Sequence, residues 1–133
     1  MIQLLKCKIH QACVTDADLS YEGSLGIDAE LMDLIGLRTY EKILVGNMST
    51  GHRFETYAIR EAPGSRRIVL NGATARLGAR GARVIIMAFG WHREADLRGA
   101  TPEPRVIRLD EENNIVAASG FEGSPEPLSY SAE

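Results

Sequence analysis

Arg83-Val84-Ile85-Ile86-Met87-Ala88-Phe89 is the stretch on which the fold turns. Four consecutive apolar residues, Val84 to Met87, leave a strand apolar on both faces. Such a strand belongs at the centre of a sheet, covered on both sides. Working outward, Arg67 to Leu70 reads as a strand on the N-terminal side, running into the turn signal Asn71-Gly72. Ala73 to Leu77 reads as a single helical turn before a glycine-rich stretch. On the C-terminal side, His92 to Leu97 is a short helix at most. Arg105 to Leu109 and Ile115 to Ala118 read as strands flanking the turn 111–114.

The N-terminal half has the same texture. Residues 2 to 15 are apolar and β-branched enough for a strand, with Lys8 and His10 on one face and Cys7, Ile9 and Gln11 on the other. Asp16 to Leu25 reads as a turn of small and polar residues. Asp28 can cap a short helix with an apolar stripe of Leu31, Leu34 and Ile35, stopped by Gly36. Lys42 to Val45 and His52 to Ile59 read as a hairpin around the turn 47–51, and Glu61 to Ser65 as a second turn. Many short strands and little helix predict an all-β fold. Its simplest form is a small closed barrel, since closure removes exposed edges. One domain over 1–118 is expected, with a disordered Gly-, Ser-, Pro- and Glu-rich tail over 119–133.

With 133 residues the chain is of single-domain length, 44% hydrophobic and 25% charged, with a formal net charge of -3. That balance argues against wholesale binding of nucleic acid. Cys7 and Cys13 fit neither a disulfide framework nor a zinc signature, and no metal is expected. No apolar run approaches the roughly 20 residues of a membrane span, and Met1 to His10 lacks a secretory apolar region. A cytoplasmic protein without a membrane partner is the expectation.

Chemistry is suggested by Tyr21-Glu22-Gly23-Ser24. A serine hydroxyl can attack the carbonyl before it, shifting the acyl group from nitrogen to oxygen. Elimination from the ester gives a dehydroalanine, and hydrolysis leaves a ketone, a pyruvoyl group at a new N-terminus. The attack favours a residue without a Cβ before the serine, and it needs a donor for the oxyanion. Gly23-Ser24 meets the first condition, as do many linkers. Ser24 with His10 as a serine hydrolase is weaker, lacking a nucleophile elbow and an orienting acid.

Taken in order, Lys8-Ile9-His10, Val14-Thr15, Ala17-Asp18-Leu19, Tyr21-Glu22-Gly23-Ser24, Ile27-Asp28, Gly51, Arg53-Phe54, Thr56-Tyr57-Ala58-Ile59, Gly64-Ser65, Asn71-Gly72-Ala73 and Val84-Ile85-Ile86 form a specific set. The chain resembles the pyruvoyl-dependent aspartate 1-decarboxylases over roughly Met1 to Ala118. The resemblance implies a six-stranded double-psi β-barrel with short helices, assembled as a homotetramer with active sites between subunits. It implies autocatalytic cleavage between Gly23 and Ser24, with or without a maturation factor. L-aspartate would then form a Schiff base with the pyruvoyl group and lose its α-carboxylate. The product is β-alanine for pantothenate and coenzyme A, with no pyridoxal phosphate.

Roles follow from the same resemblance. Ser24 supplies the cofactor and Gly23 the other side of the cut bond. Lys8 lies near the pyruvoyl group and a substrate carboxylate, with His10 close by. Arg53 binds an aspartate carboxylate through its planar fork. Tyr57 returns a proton to the substrate carbon. Thr56 contacts substrate and assists the Gly23 oxyanion, which implies a bulge, since alternation puts it opposite Arg53 and Tyr57. Tyr21, Asn71, Gly72 and Ala73 lie near the site. Thr74 stands where an alanine is usual, and its hydroxyl is expected to reach substrate or narrow the pocket. Leu25-Gly26 also departs from the usual small or β-branched residue after the serine. The alternative is a non-enzymatic barrel, a binding module that keeps the fold and an intact chain.

Overall fold

The computed structural model describes residues 1–121. Nine strands form one mixed sheet: β1 (Ile2–Cys13), β2 (Asp16–Asp18), β3 (Ser24–Asp28), β4 (Lys42–Asn47), β5 (Arg53–Glu61), β6 (Ile68–Asn71), β7 (Arg83–His92), β8 (Arg105–Leu109) and β9 (Ile115–Ser119). Their hydrogen-bonded order is β2-β6-β3-β5-β4-β7-β1-β8-β9. Parallel pairs (β1 with β8, β3 with β5, β2 with β6) interrupt antiparallel ones. This is the crossed connectivity of a double-psi barrel rather than of a meander. Helices are short: α1 (Ala29–Ile35), a 3₁₀ helix over Gly72–Leu77 and α2 (Glu94–Leu97).

The all-β expectation holds, with nine strands in the sheet where the residues alone suggest seven. β7 lies between β4 and β1 inside the sheet, as its apolar run requires. The difference comes largely from 16–28. Asp16 to Leu25 reads as turn, but the stretch supplies β2 and the wholly buried β3. β3 lies between β5 and β6, so its ladder is made by residues far away in sequence. A single core takes side chains from Cys7, Ile9, Leu25, Ile27, Ile43, Val45, Ile86 and Ile107, among others. Cys7 is thus a small core residue, whose burial pushes its thiol up to about 11.

β1 departs from simple alternation. Its pairing with β7 shifts between Ile9 and Ala12, and Gln11 has φ 61°. Gln11 therefore does not continue the inner face of Cys7 and Ile9; Ala12 and Val14 do. The Arg83 guanidinium holds the bulge, donating to the Gln11 carbonyl at 2.9 and 2.7 Å and to the Leu109 carbonyl at 2.9 Å.

Polar clamps tie the connections between strands into the sheet. Thr15 N–H donates to the Ile68 carbonyl at 2.8 Å, and Ile68 N–H donates to Thr15 Oγ1 at 2.9 Å. Buried Asn113 accepts from Cys13 N–H at 2.7 Å and donates to the carbonyls of Cys13 and Arg66 at 2.8 and 2.9 Å. Helix α1 begins at Asp28 and ends at Gly36, as expected, but its buried face is Leu31, Met32 and Ile35; Leu34 is exposed. β9 runs through Ser119, and Phe121 packs against the core, beyond the expected boundary at 118. The rest of the expected tail, 122–133, lies outside the described residues.

Candidate active site

Ser24 opens β3, facing Asn71 at the end of β6. On its other side β3 runs parallel to β5, with Leu25 beside Ala58, so Tyr57 comes to the mouth of β3. A cleft of about 380 Å³ is lined by Tyr21, Glu22, Ser24, Thr39, Tyr40, Tyr57, Ile59 and Arg60. The sheet thereby joins three pieces of sequence at one serine.

Ser24 is 2% exposed. Its hydroxyl is held twice: Asn71 Nδ2 donates to Oγ at 3.1 Å, and Oγ donates to the Glu22 carbonyl at 3.4 Å. The Asn71 side chain is itself buried, so its amide is fixed on the Ser24 hydroxyl rather than shared with water. Thr74 Oγ1 donates to the Asn71 carbonyl at 2.7 Å and also lies 3.2 Å from the Ser24 carbonyl.

Gly72 packs beneath the 21–23 segment at φ 62°. A Cβ built there would lie 2.7 Å from Gly23 N and from the Tyr21 carbonyl oxygen. Asn71-Gly72 is therefore more than a turn: the bare α-carbon lets the bond preceding Ser24 lie against the barrel. Around Gly23 itself a Cβ would meet nothing within 4 Å.

The expected residues divide into two sets. Ser24, Gly23, Tyr21, Tyr57, Asn71, Gly72 and Thr74 gather at the cleft. Ala73, between them in sequence, is exposed. Lys8, His10 and Arg53 line no part of this cleft. β1 is four ladder steps from β3, roughly 19 Å along the sheet. Arg53 begins β5 four residues before Tyr57, about 13 Å along the strand. Lys8, between Met87 and Val106, and Arg53, opposite Gly46, lie on the outer face. Burial, helped by the positive charges of Lys8, Arg108 and Arg83, holds His10 below the usual imidazole range.

Thr56 shows no bulge. β4 and β5 pair without a shift from Lys42↔Tyr57 to Gly46↔Arg53, and Thr56 lies opposite buried Ile43. It faces inward, away from the face of Arg53 and Tyr57, because a regular strand alternates. The sequence reading missed Thr39, Tyr40 and Arg60. Tyr40 has φ 70° and donates its N–H to the Ala58 carbonyl at 2.7 Å. Its ring meets that of Tyr57 at 6.1 Å, tilted by 56°. Nothing local to the α1–β4 connection signals this, since the contact is made by β5. Among the described residues, no three His, Cys, Asp or Glu side chains gather to hold a metal, and no helix is long and apolar enough to cross a membrane.

Fold and site define a small all-β barrel whose polar chemistry centres on one buried internal serine. The chain belongs to the aspartate decarboxylase family, whose profile matches residues 1–116. It is 50% identical over 113 residues to the aspartate 1-decarboxylase of Thermosipho melanesiensis, covering 85% of this chain and 92% of that protein. Its identity to the aspartate 1-decarboxylase of Chlorobium chlorochromatii is 48% over 128 residues, 96% of this chain and 98% of that one. With that of Alkalilimnicola ehrlichii it shares 49% over 115 residues, covering 86% and 90% of the two chains.

Proposed function

We propose that the chain decarboxylates L-aspartate to β-alanine and CO2, the step that feeds pantothenate synthesis, using a pyruvoyl group made from its own Ser24. The observation that carries this reading is the buried Ser24 hydroxyl, fixed by Asn71 and preceded by a residue without a side chain. Gly72 and Asn71 fit the covalent group, since one leaves room beside Gly23 and the other donates at residue 24. The ketone supplies the electron sink on which the substrate's α-carboxylate is lost.

The remaining work falls to side chains. Tyr57, across the cleft, gives a proton to the carbon that loses CO2. Arg53 binds a substrate carboxylate, with Lys8 near the other and His10 supporting it. Thr56 takes part in substrate contact once the bond before Ser24 is open. Arg53 and Lys8 stand apart from the Ser24 cleft of their own chain, which favours sites completed between copies in a homotetramer.

The test is a denaturing intact mass of purified protein, followed by aspartate turnover with no cofactor added. Expected are one chain ending at Gly23 and one beginning with a ketone-bearing residue 24. Ser24→Ala should stay whole and inactive with an unchanged fold. Tyr57→Phe should cleave and turn over at least about tenfold more slowly. Full decarboxylase activity in Ser24→Ala would defeat the pyruvoyl mechanism. A non-enzymatic barrel would keep the wild-type chain whole and inactive even after prolonged warming.

A further inference from the structure

Thr74 has one hydroxyl proton and two carbonyls within its reach. Asn71 O, at 2.7 Å, is the ordinary partner of a threonine three residues along a helical turn. Ser24 O, at 3.2 Å, belongs to the residue whose bonds are exchanged. The side chain is 6% exposed, so little water competes for either bond.

The Ser24 carbonyl does not take part in the first step of self-processing. There Ser24 Oγ bonds to the Gly23 carbonyl carbon, the Gly23 C–N bond breaks, and the hydroxyl proton goes to the nitrogen. It matters in the second. Elimination removes the α-proton of residue 24 to water in the cleft. The electron pair of that bond forms Cα=Cβ as Cβ–Oγ breaks and the Gly23 carboxylate leaves. While the α-proton departs, negative charge spreads from Cα onto the adjoining Ser24 carbonyl oxygen. A donor already aimed at that oxygen stabilises the charge without reorganisation.

We propose that Thr74 acts in this elimination, its hydroxyl turning from the Asn71 carbonyl to the Ser24 carbonyl as charge gathers there. The proposal rests on self-cleavage at Gly23–Ser24. It replaces the role of substrate ligand expected of Thr74, because the hydroxyl is committed to backbone carbonyls.

The experiment compares wild type, Thr74→Ser, Thr74→Val and Thr74→Ala. Freshly purified precursor is warmed and sampled over time. Each sample is divided, one half analysed directly by denaturing mass and the other first treated with neutral hydroxylamine. Hydroxylamine cuts the ester but not the amide, giving a Gly23 hydroxamate and a chain with an intact N-terminal serine. Thr74→Val and Thr74→Ala should accumulate this labile species and form the ketone-bearing chain about tenfold more slowly, given the length of the contact. Thr74→Ser should process like wild type.

A role in packing alone would lower the melting temperature without building up ester. Cleavage of both donor-free variants at the wild-type rate, or ester accumulation in Thr74→Ser equal to that in Thr74→Val, would overturn the proposal. If Thr74→Val does not fold, Thr74→Ala carries the comparison. Wild-type protein that stays whole and resists hydroxylamine after warming would overturn self-processing itself, and this role with it.

Discussion

Gly72 shows how much one missing carbon can decide. Its φ of 62° is left-handed, and a Cβ added there would run into the backbone on both sides of Glu22. An alanine would add backbone strain of about 1 kcal/mol. Its Cβ would also stand 2.8 Å from the Gly23 α-carbon, closer than real Cβ contacts come. The exposed 21–23 segment has space to move away, so the fold should survive. The bond before Ser24 would then lie out of line with Oγ. Gly72→Ala is expected to keep its far-UV circular dichroism and process at least about tenfold more slowly, read as the fraction of intact mass over time. Processing at the wild-type rate would mean that Gly72 serves only the turn.

Individual residues also show which expected positions the fold brings together. Tyr21, Gly23, Ser24, Tyr57, Asn71 and Gly72 were identified from ordered motifs and do gather at one cleft. Thr56 and Tyr40 were not legible in the same way. The orientation of Thr56 depends on an uninterrupted β4–β5 register, and the position of Tyr40 on a bond to β5.

Among the elements, the helix after β3 is fixed by Asp28. Its carboxylate is fully buried and accepts from Glu30 N–H at 2.8 Å, Gly64 N–H at 2.9 Å and Arg66 N–H at 2.7 Å. One side chain thus caps α1 and ties the turn before β6 to it. Burial alone would raise its pKa. The three backbone donors and the Arg66 charge outweigh burial and hold the carboxyl below its ordinary value. A depressed folded-state pKa gives stability that is present above the ordinary carboxylate range and lost as pH falls through the lower, folded-state value. Asp28→Asn should therefore cost about 2 kcal/mol at pH 7 in urea unfolding. The gap to wild type should narrow below about pH 4. A gap that stayed constant down to acid pH would show that the charge is not what stabilises the turn.

At this scale the sequence was informative where pattern is local. The cap and stop of α1, the β4–β5 hairpin and the apolar run of β7 all follow from neighbouring residues. β3 was not legible, because Ser24-Leu25-Gly26-Ile27-Asp28 has the composition of a turn and is made a strand by β5 and β6.

For the whole molecule, the division of the site is the feature to test. Arg53 is about 13 Å from Tyr57 along β5, and β1 with Lys8 lies across the sheet. If neighbouring copies complete each other's sites, two inactive variants can repair one another. Ser24→Ala and Arg53→Ala co-expressed in equal amounts should regain about a quarter of wild-type activity, since random assembly gives one site in four both intact residues. Each variant alone should stay inactive. Absence of activity in mixed assemblies, verified by tagging each chain, would place Arg53 in the site of its own Ser24 or outside the chemistry.

The sequence by itself determined the all-β class, the short capped helix and the candidate residues Gly23 and Ser24 for backbone chemistry. These depend on periodicity, on the permissive glycine and on side-chain chemistry, all of which are local. Only the tertiary structure decided that 16–28 contributes two strands and that Asn71 and Thr74 grip opposite ends of Ser24. It also decided that Lys8 and Arg53 stand away from the cleft. Those outcomes depend on which distant strands become hydrogen-bonded neighbours, and strand pairing is settled by how the whole core packs rather than by any one stretch of chain.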